Sequence, residues 1–147
     1  MDLDGPYDHG NVFARILRGE LPCAKVYEDD QVLAILDAFP QAHGHTLVLP
    51  KAPARNLLDI EPEALTGLMV QVQRIAHAIR AALNPDGLTI SQFNGAAGGQ
   101  TVPHLHVHII PRWHGTPLGG HGGGATNADD LALMVEEIRA KLANEAP

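Results

Sequence analysis

The stretch His104-Leu105-His106-Val107-His108-Ile109-Ile110 sets three histidines at every second position, with aliphatic residues between them. Strict alternation is the period of a β-strand, in which successive side chains point to opposite faces of the sheet. Leu105, Val107 and Ile109 are expected to face a packed core, and the three imidazoles to line the other face. At about 3.3 Å rise per residue, neighbouring histidines stand roughly 6.6 Å apart. Core packing alone does not ask for such a row. Imidazoles near neutral pH supply nucleophiles, proton shuttles or metal ligands. This strand is the expected active site; the plainer alternatives are hydrogen-bonded core histidines or a chance metal-binding tract.

The residues just before the row agree. Asn94-Gly95-Ala96-Ala97-Gly98-Gly99-Gln100-Thr101-Val102-Pro103 is rich in small residues, which let backbone N–H groups approach a ligand closely. Gln100 and Thr101 add side-chain donors. Donors feeding into a histidine row suit a phosphate or another oxyanion held against an imidazole.

The segment Gly99–Arg112 resembles the signature of the histidine triad (HIT) family. Val12-Phe13-Ala14-Arg15-Ile16-Leu17-Arg18-Gly19-Glu20-Leu21-Pro22 is similar to the family's opening helix and turn. Lys25–Asp30 with Leu36-Asp37 resembles the hairpin that follows, and His43-Gly44-His45-Thr46-Leu47-Val48-Leu49-Pro50-Lys51 resembles its next strand. The likeness runs from about Asn11 to Arg112 and is greatest for the nucleotide-binding proteins and bacterial hydrolases of the family.

Composition agrees with a small-molecule ligand. With 147 residues and 45% hydrophobic content, the chain suits one globular domain with a single core. No apolar run reaches the length of a membrane span, and the acidic start Met1-Asp2-Leu3-Asp4 lacks the character of a signal peptide. The single Cys23 excludes an internal disulfide framework, so a reducing, cytoplasmic setting is expected. A formal net charge of −7 disfavours extended nucleic-acid backbones as partners. A mononucleotide remains compatible, because neutral donors and local histidines can hold one phosphate.

Along the chain, residues 1–10 read as a mobile tail, 11–112 as the main domain, and 113–147 as a Gly-rich loop and a final helix completing it. Asn11 is a plausible N-cap and Gly19 a plausible stop for a short helix. Ala24–Glu28 and Gln31–Leu36 form an expected hairpin, and His45–Leu49 a strand. The longest helix should run from Pro62 to Leu83, with Leu65, Leu68, Met69, Val72, Ile75, Ala76 and Ile79 on one core-facing stripe. Leu88–Phe93 reads as a strand pairing with the histidine strand. Gly115–Gly124 reads as a flexible loop, and a helix from about Asp129 carries Leu131, Met134, Val135, Ile138 and Leu142 on one face. The expected class is α+β: an antiparallel sheet of about five strands with helices on one side.

A histidine nucleophile divides a hard displacement at phosphorus into two easier steps through a covalent nucleotidyl intermediate. The resemblance implies that the middle residue, His106, is that nucleophile. His108 then donates to the phosphate and helps protonate the leaving group, while His104 and His45 order their neighbours. It also implies an apolar slot for the base lined by Phe13, Ile16, Leu21 and Ile35, with Asp37 accepting from the ribose hydroxyls. Asn94, Gln100 and Thr101 are the expected phosphate contacts. His9, His77, His114 and His121 are expected to be uninvolved, and His43 to lie on a loop.

No cofactor is implied. Many bacterial relatives carry a Cys-x-x-Cys that helps bind a structural zinc, but those positions are Asn11 and Ala14 here, and a further ligand histidine is replaced at about Pro53. The thiolates that favour tetrahedral zinc are missing. The implied activity is hydrolysis of purine nucleoside 5′-phosphoramidates or related nucleotidyl compounds. Cleavage of dinucleoside polyphosphates, a nucleotide-binding scaffold with vestigial turnover, and a metalloenzyme using His43/His45 and His106/His108 are the alternatives. A homodimer is expected, because a short sheet leaves an edge that a second copy would cover, with Leu65, Met69, Val72 and Ile79 as contacts.

Overall fold

A computed structural model describes residues 1–119 and 127–144. Asn11 caps the first helix, α1 (Val12–Leu17), its side-chain oxygen accepting from the Phe13 and Ala14 N–H groups. The hairpin follows as β1 (Ala24–Glu28) and β2 (Val32–Leu36), then β3 (Thr46–Pro50). Helix α2 runs Pro62–Leu83, with proline in its first turn and Asn84 in the left-handed conformation at its end. Strands β4 (Gly87–Ser91) and β5 (Val107–Arg112) and helix α3 (Ala128–Leu142) complete the chain. The five strands form one antiparallel sheet in the order β1-β2-β3-β5-β4.

Strands β2 and β3 are buried along their whole length, so they read as continuous apolar runs rather than alternating ones. Val32, Ala34, Leu36, Val48, Val107 and Ile109 pack against Leu68, Val72, Ile75 and Ile79 of α2 and Met134 and Ile138 of α3. On the other face Leu33, Ile35, Leu47 and Leu49 pack with Phe13 of α1. The two long helices therefore share one face, while the short α1 sits on the opposite face and walls the histidine side.

Several expectations are corrected by these contacts. The histidine strand begins at Val107, not at His104, because the Leu105 N–H donates to the Ala54 carbonyl of a loop rather than to a neighbouring strand. Leu105 still points into the core, where it is 1% exposed. Met69 is 43% exposed, whereas Val72 and Ile79 are fully used in their own chain's core and are not available to a partner.

Residues 1–10 are not a loose tail. Arg55 donates to the Pro6 and Asp2 carbonyls, Asn56 to the Leu3 carbonyl, and the Ala96 N–H to the Met1 carbonyl. His121 and the second half of the expected Gly115–Gly124 loop lie outside the described residues. Just before them, residues 113–119 turn back, and the Gly119 N–H donates to the Gln41 carbonyl.

Gly44 explains how His45 enters the site. Its φ of +83° is open to glycine, and a Cβ there would run into Leu83 of α2 and Pro111 of β5. The chain therefore turns tightly against α2 before β3 begins.

Candidate active site

Beside α1, and reached at its rim by Leu131 of α3, lies a cavity of about 310 Å³. Val12, Phe13 and Ile16 of α1 form one wall, Pro22, Cys23 and Ala24 a second, and Ile35 and Leu47 the floor. His106, His108, Thr101 and Asp37 bring polar groups to it. An apolar slot ending in a few convergent polar groups is the usual form of a small-ligand site.

The histidines are buried: His45 is 1% exposed, His104 0%, His106 6% and His108 3%. Their hydrogen bonds decide which ring nitrogen carries the proton. The carbonyl of His104 can only accept, so His106 donates to it from Nδ1 at 2.7 Å. In the neutral ring Nε2 of His106 then holds the lone pair, as a nucleophile requires. Phe13 meets this ring edge to face, with centroids 4.9 Å apart.

A second chain of bonds sets His108. The Gln41 N–H donates to His45 Nδ1 at 3.1 Å, so the neutral His45 carries its proton on Nε2. That nitrogen lies 2.9 Å from His108 Nδ1 and donates to it. His108 is left with its proton on Nε2, as a donor. The rings of His106 and His108 are 4.9 Å apart between centroids. An acceptor nitrogen and a donor nitrogen thus stand side by side, each fixed by the partner at the other ring position.

His104 lines no part of the cavity. Its Nε2–H donates to the Pro50 carbonyl at 2.8 Å, and Nδ1 lies 2.5 Å from the Tyr7 hydroxyl. Burial pushes its pKa down to about 4, despite the opposing effect of the Pro50 bond. This imidazole is neutral across the physiological range.

Of the expected ligand-contacting residues, Phe13, Ile16, Ile35, Asp37, Thr101, His106 and His108 border the cavity. Leu21 does not; Pro22 and Cys23 stand there instead. Gln100 is not presented to a ligand either. Its amide is buried and spent on the backbone, accepting from the Gly95 N–H and donating to the Arg55 and Val102 carbonyls. Asn94 likewise accepts from the Leu57 N–H and pairs with Gln92. Both shape the loop that presents Thr101.

Phe39, Val102 and Leu131 line the cavity without having been anticipated. Phe39 carried a signal, being an aromatic residue on a loop two positions from Asp37. Leu131 did not, since it arrives from α3.

Asp37 has two roles in the protein itself. It accepts from the Phe39 N–H at 2.9 Å, and its other oxygen lies 3.7 Å from His45 Nε2. No Asp or Glu stands next to either histidine pair in the sequence; the fold brings this one in. Asp37, His45 and His108 present ligand atoms within 4.8 Å of one another, a spacing that a small cation could span. His43 does not join them: it is exposed and faces the Trp113 ring at 6.3 Å. A structural zinc at the opening helix does not fit these residues. Asn11 is committed as a helix cap through its oxygen and donates from Nδ2 to the Asp8 carbonyl, and neither it nor Ala14 offers a thiolate.

A match to the HIT domain covers residues 18–115. The chain is 45% identical over 101 residues to an adenylylsulfatase of Arabidopsis thaliana, covering 69% of this chain and spanning about half, 51%, of that protein's length. A HIT-like protein involved in cell-cycle regulation from Bartonella henselae, crystallised with an unknown ligand, superposes with a TM-score of 0.89. It shares 47% identity, and the match covers 93% of this chain and 99% of that one. A hypothetical histidine triad nucleotide-binding protein from Sulfolobus tokodaii superposes with a TM-score of 0.83 at 34% identity, covering 90% and 91%. The chain belongs to the histidine triad family.

Proposed function

We propose that this member of the histidine triad family hydrolyses purine nucleoside 5′-phosphoramidates and related nucleotidyl compounds through a nucleotidyl group carried on His106. The observation that carries the reading is the 2.7 Å bond from His106 Nδ1 to the His104 carbonyl, which leaves Nε2 unprotonated in a neutral ring that lines the cavity of about 310 Å³. In the first step the Nε2 lone pair attacks the α-phosphorus and the bond to the leaving nitrogen breaks. The departing nitrogen keeps that electron pair and takes the Nε2 proton of His108. In the second step water attacks the same phosphorus, the bond to His106 breaks, and the water's proton returns to His108. The products are the amine and the nucleoside monophosphate.

The base occupies the slot between Phe13, Ile16, Ile35 and Phe39, Asp37 accepts from the ribose hydroxyls, and Thr101 donates to the phosphate. The 45% identical adenylylsulfatase supports including an adenylylated sulfate among the substrates, since only the leaving group differs. Among the described residues no helix is long and apolar enough to cross a membrane, and one free thiol fits a reducing, cytoplasmic setting. The working unit is a homodimer. It forms through the open edge of β4 and the outer side of α2, where Ile90 is 45% and Met69 43% exposed.

His106→Asn tests the reading. Turnover of an adenylated amine should fall by several orders of magnitude, as when a nucleophile is removed from a covalent mechanism, while nucleotide binding measured by calorimetry persists. Rapid quenching of the wild type should leave an acid-labile nucleotidyl group on His106. Near-wild-type turnover in the variant refutes the assignment.

A further inference from the structure

We infer that Tyr7 is a positioning residue for the triad, its phenol donating to His104 Nδ1 at 2.5 Å and holding the residue whose carbonyl orients His106. The inference about turnover rests on the reading above; the bond itself does not.

Three observations carry it. His104 gives its Nε2 proton to the Pro50 carbonyl, so Nδ1 is an acceptor buried where water does not reach, with the ring 0% exposed. A buried acceptor left without a donor costs about 1–3 kcal/mol, and the Tyr7 hydroxyl is the donor that meets this one. The low pKa of His104 agrees, since a neutral ring keeps that lone pair available.

The segment bearing Tyr7 is also held in place. The Arg55 guanidinium grips the Pro6 and Asp2 carbonyls at 2.9 and 2.7 Å, and the Leu3 carbonyl accepts from Asn56 at 2.8 Å. Gly95, at φ +74°, lets the Leu3 side chain lie close; a Cβ there would stand 3.2 Å from it. Arg55 uses its own carbonyl to accept from Gln100, which shapes the loop leading to Thr101. One arginine therefore fastens both the N-terminal strap and the Gly-rich loop.

Finally, Tyr7 lines no part of the cavity. Its direct contact with the triad is the bond to His104. A residue so placed changes the rate of the chemical step without changing how substrate binds.

Tyr7→Phe separates the hydroxyl from the ring, which keeps its edge contacts to His104 and His9. The expected result is a downfield move of the His104 Nδ1 nitrogen resonance, a disturbance of the His106 ring resonances, and a fall in kcat of about five-fold with KM unchanged, the size of one neutral hydrogen bond. Arg55→Ala should move the same signals. The double variant should be no slower than Arg55→Ala alone, because both substitutions release one element. Wild-type His104 resonances in Tyr7→Phe overturn the bond, and a moved His104 with unchanged His106 and kcat overturns the positioning role. Should the wild type fail to turn over adenylated amines, the proposed activity falls. The inference is then decided by the His104 and His106 resonances alone, with unchanged signals overturning it.

Discussion

His104 should make the fold sensitive to acid in a measurable window. Burial holds its pKa at about 4, against an ordinary 6.5. Between those values the unfolded chain binds a proton that the folded chain refuses, so acidification favours unfolding. The loss begins as pH falls below 6.5 and is complete below about 4. At about 1.4 kcal/mol per decade of proton affinity, the gap corresponds to about 3 kcal/mol. Urea unfolding followed at half-unit steps from pH 7.5 to 4 reads this directly, with His104→Gln as the comparison. Glutamine can still donate to the Pro50 carbonyl but carries no titratable proton in this range. The variant is expected to be less stable at neutral pH and to lose less stability on acidification, the two curves converging by about 3 kcal/mol. The remaining histidines contribute to both curves and cancel in the difference. Parallel curves would mean that His104 is not held neutral by its burial, and the argument for its fixed proton would fail.

Two further outcomes follow from the site and the surface. Because Asn11 and Ala14 offer no thiolates, the purified protein should carry no stoichiometric zinc by elemental analysis and keep its activity in chelator. About one tightly held zinc per chain would instead direct attention to Asp37, His45 and His108. Light scattering at micromolar concentration should give twice the chain mass of 15.7 kDa. Met69→Asp should return it to one chain mass; a monomeric wild type would refute the assembly.

The sequence disclosed most where one local interaction decides the structure. Helix α2 begins and ends where Pro62 and Asn84 require, and Asn11 caps α1 as its side chain predicts. The alternation at His104–Ile110 correctly assigned faces, and with them a cavity next to His106 and His108. It misplaced the start of β5, because side-chain period persists where the hydrogen-bond ladder does not. The misses share a cause. Gln100 and Asn94 look like ligand donors in a one-dimensional reading, but the Arg55–Leu57 segment, nearly 40 residues or more away, claims them. Residues 1–10 look loose for the same reason: their partners are Arg55, Asn56 and Ala96. Asp37 reached His45 only through a turn that Gly44 makes feasible.

The group that aims His106 is a main-chain oxygen, and this limits what mutagenesis can reveal. Every amino acid at position 104 supplies the same carbonyl, so an alanine scan would credit the site with one participant too few. Side-chain variants there report on the imidazole and its neighbours, never on the acceptor itself. Exposing the oxygen's contribution calls for atomic editing of the chain. An ester linkage between His104 and Leu105, built by chemical ligation, weakens the carbonyl as an acceptor. It also deletes the N–H that Leu105 gives to Ala54. Part of this site is written in the polypeptide backbone, beyond the reach of the codon.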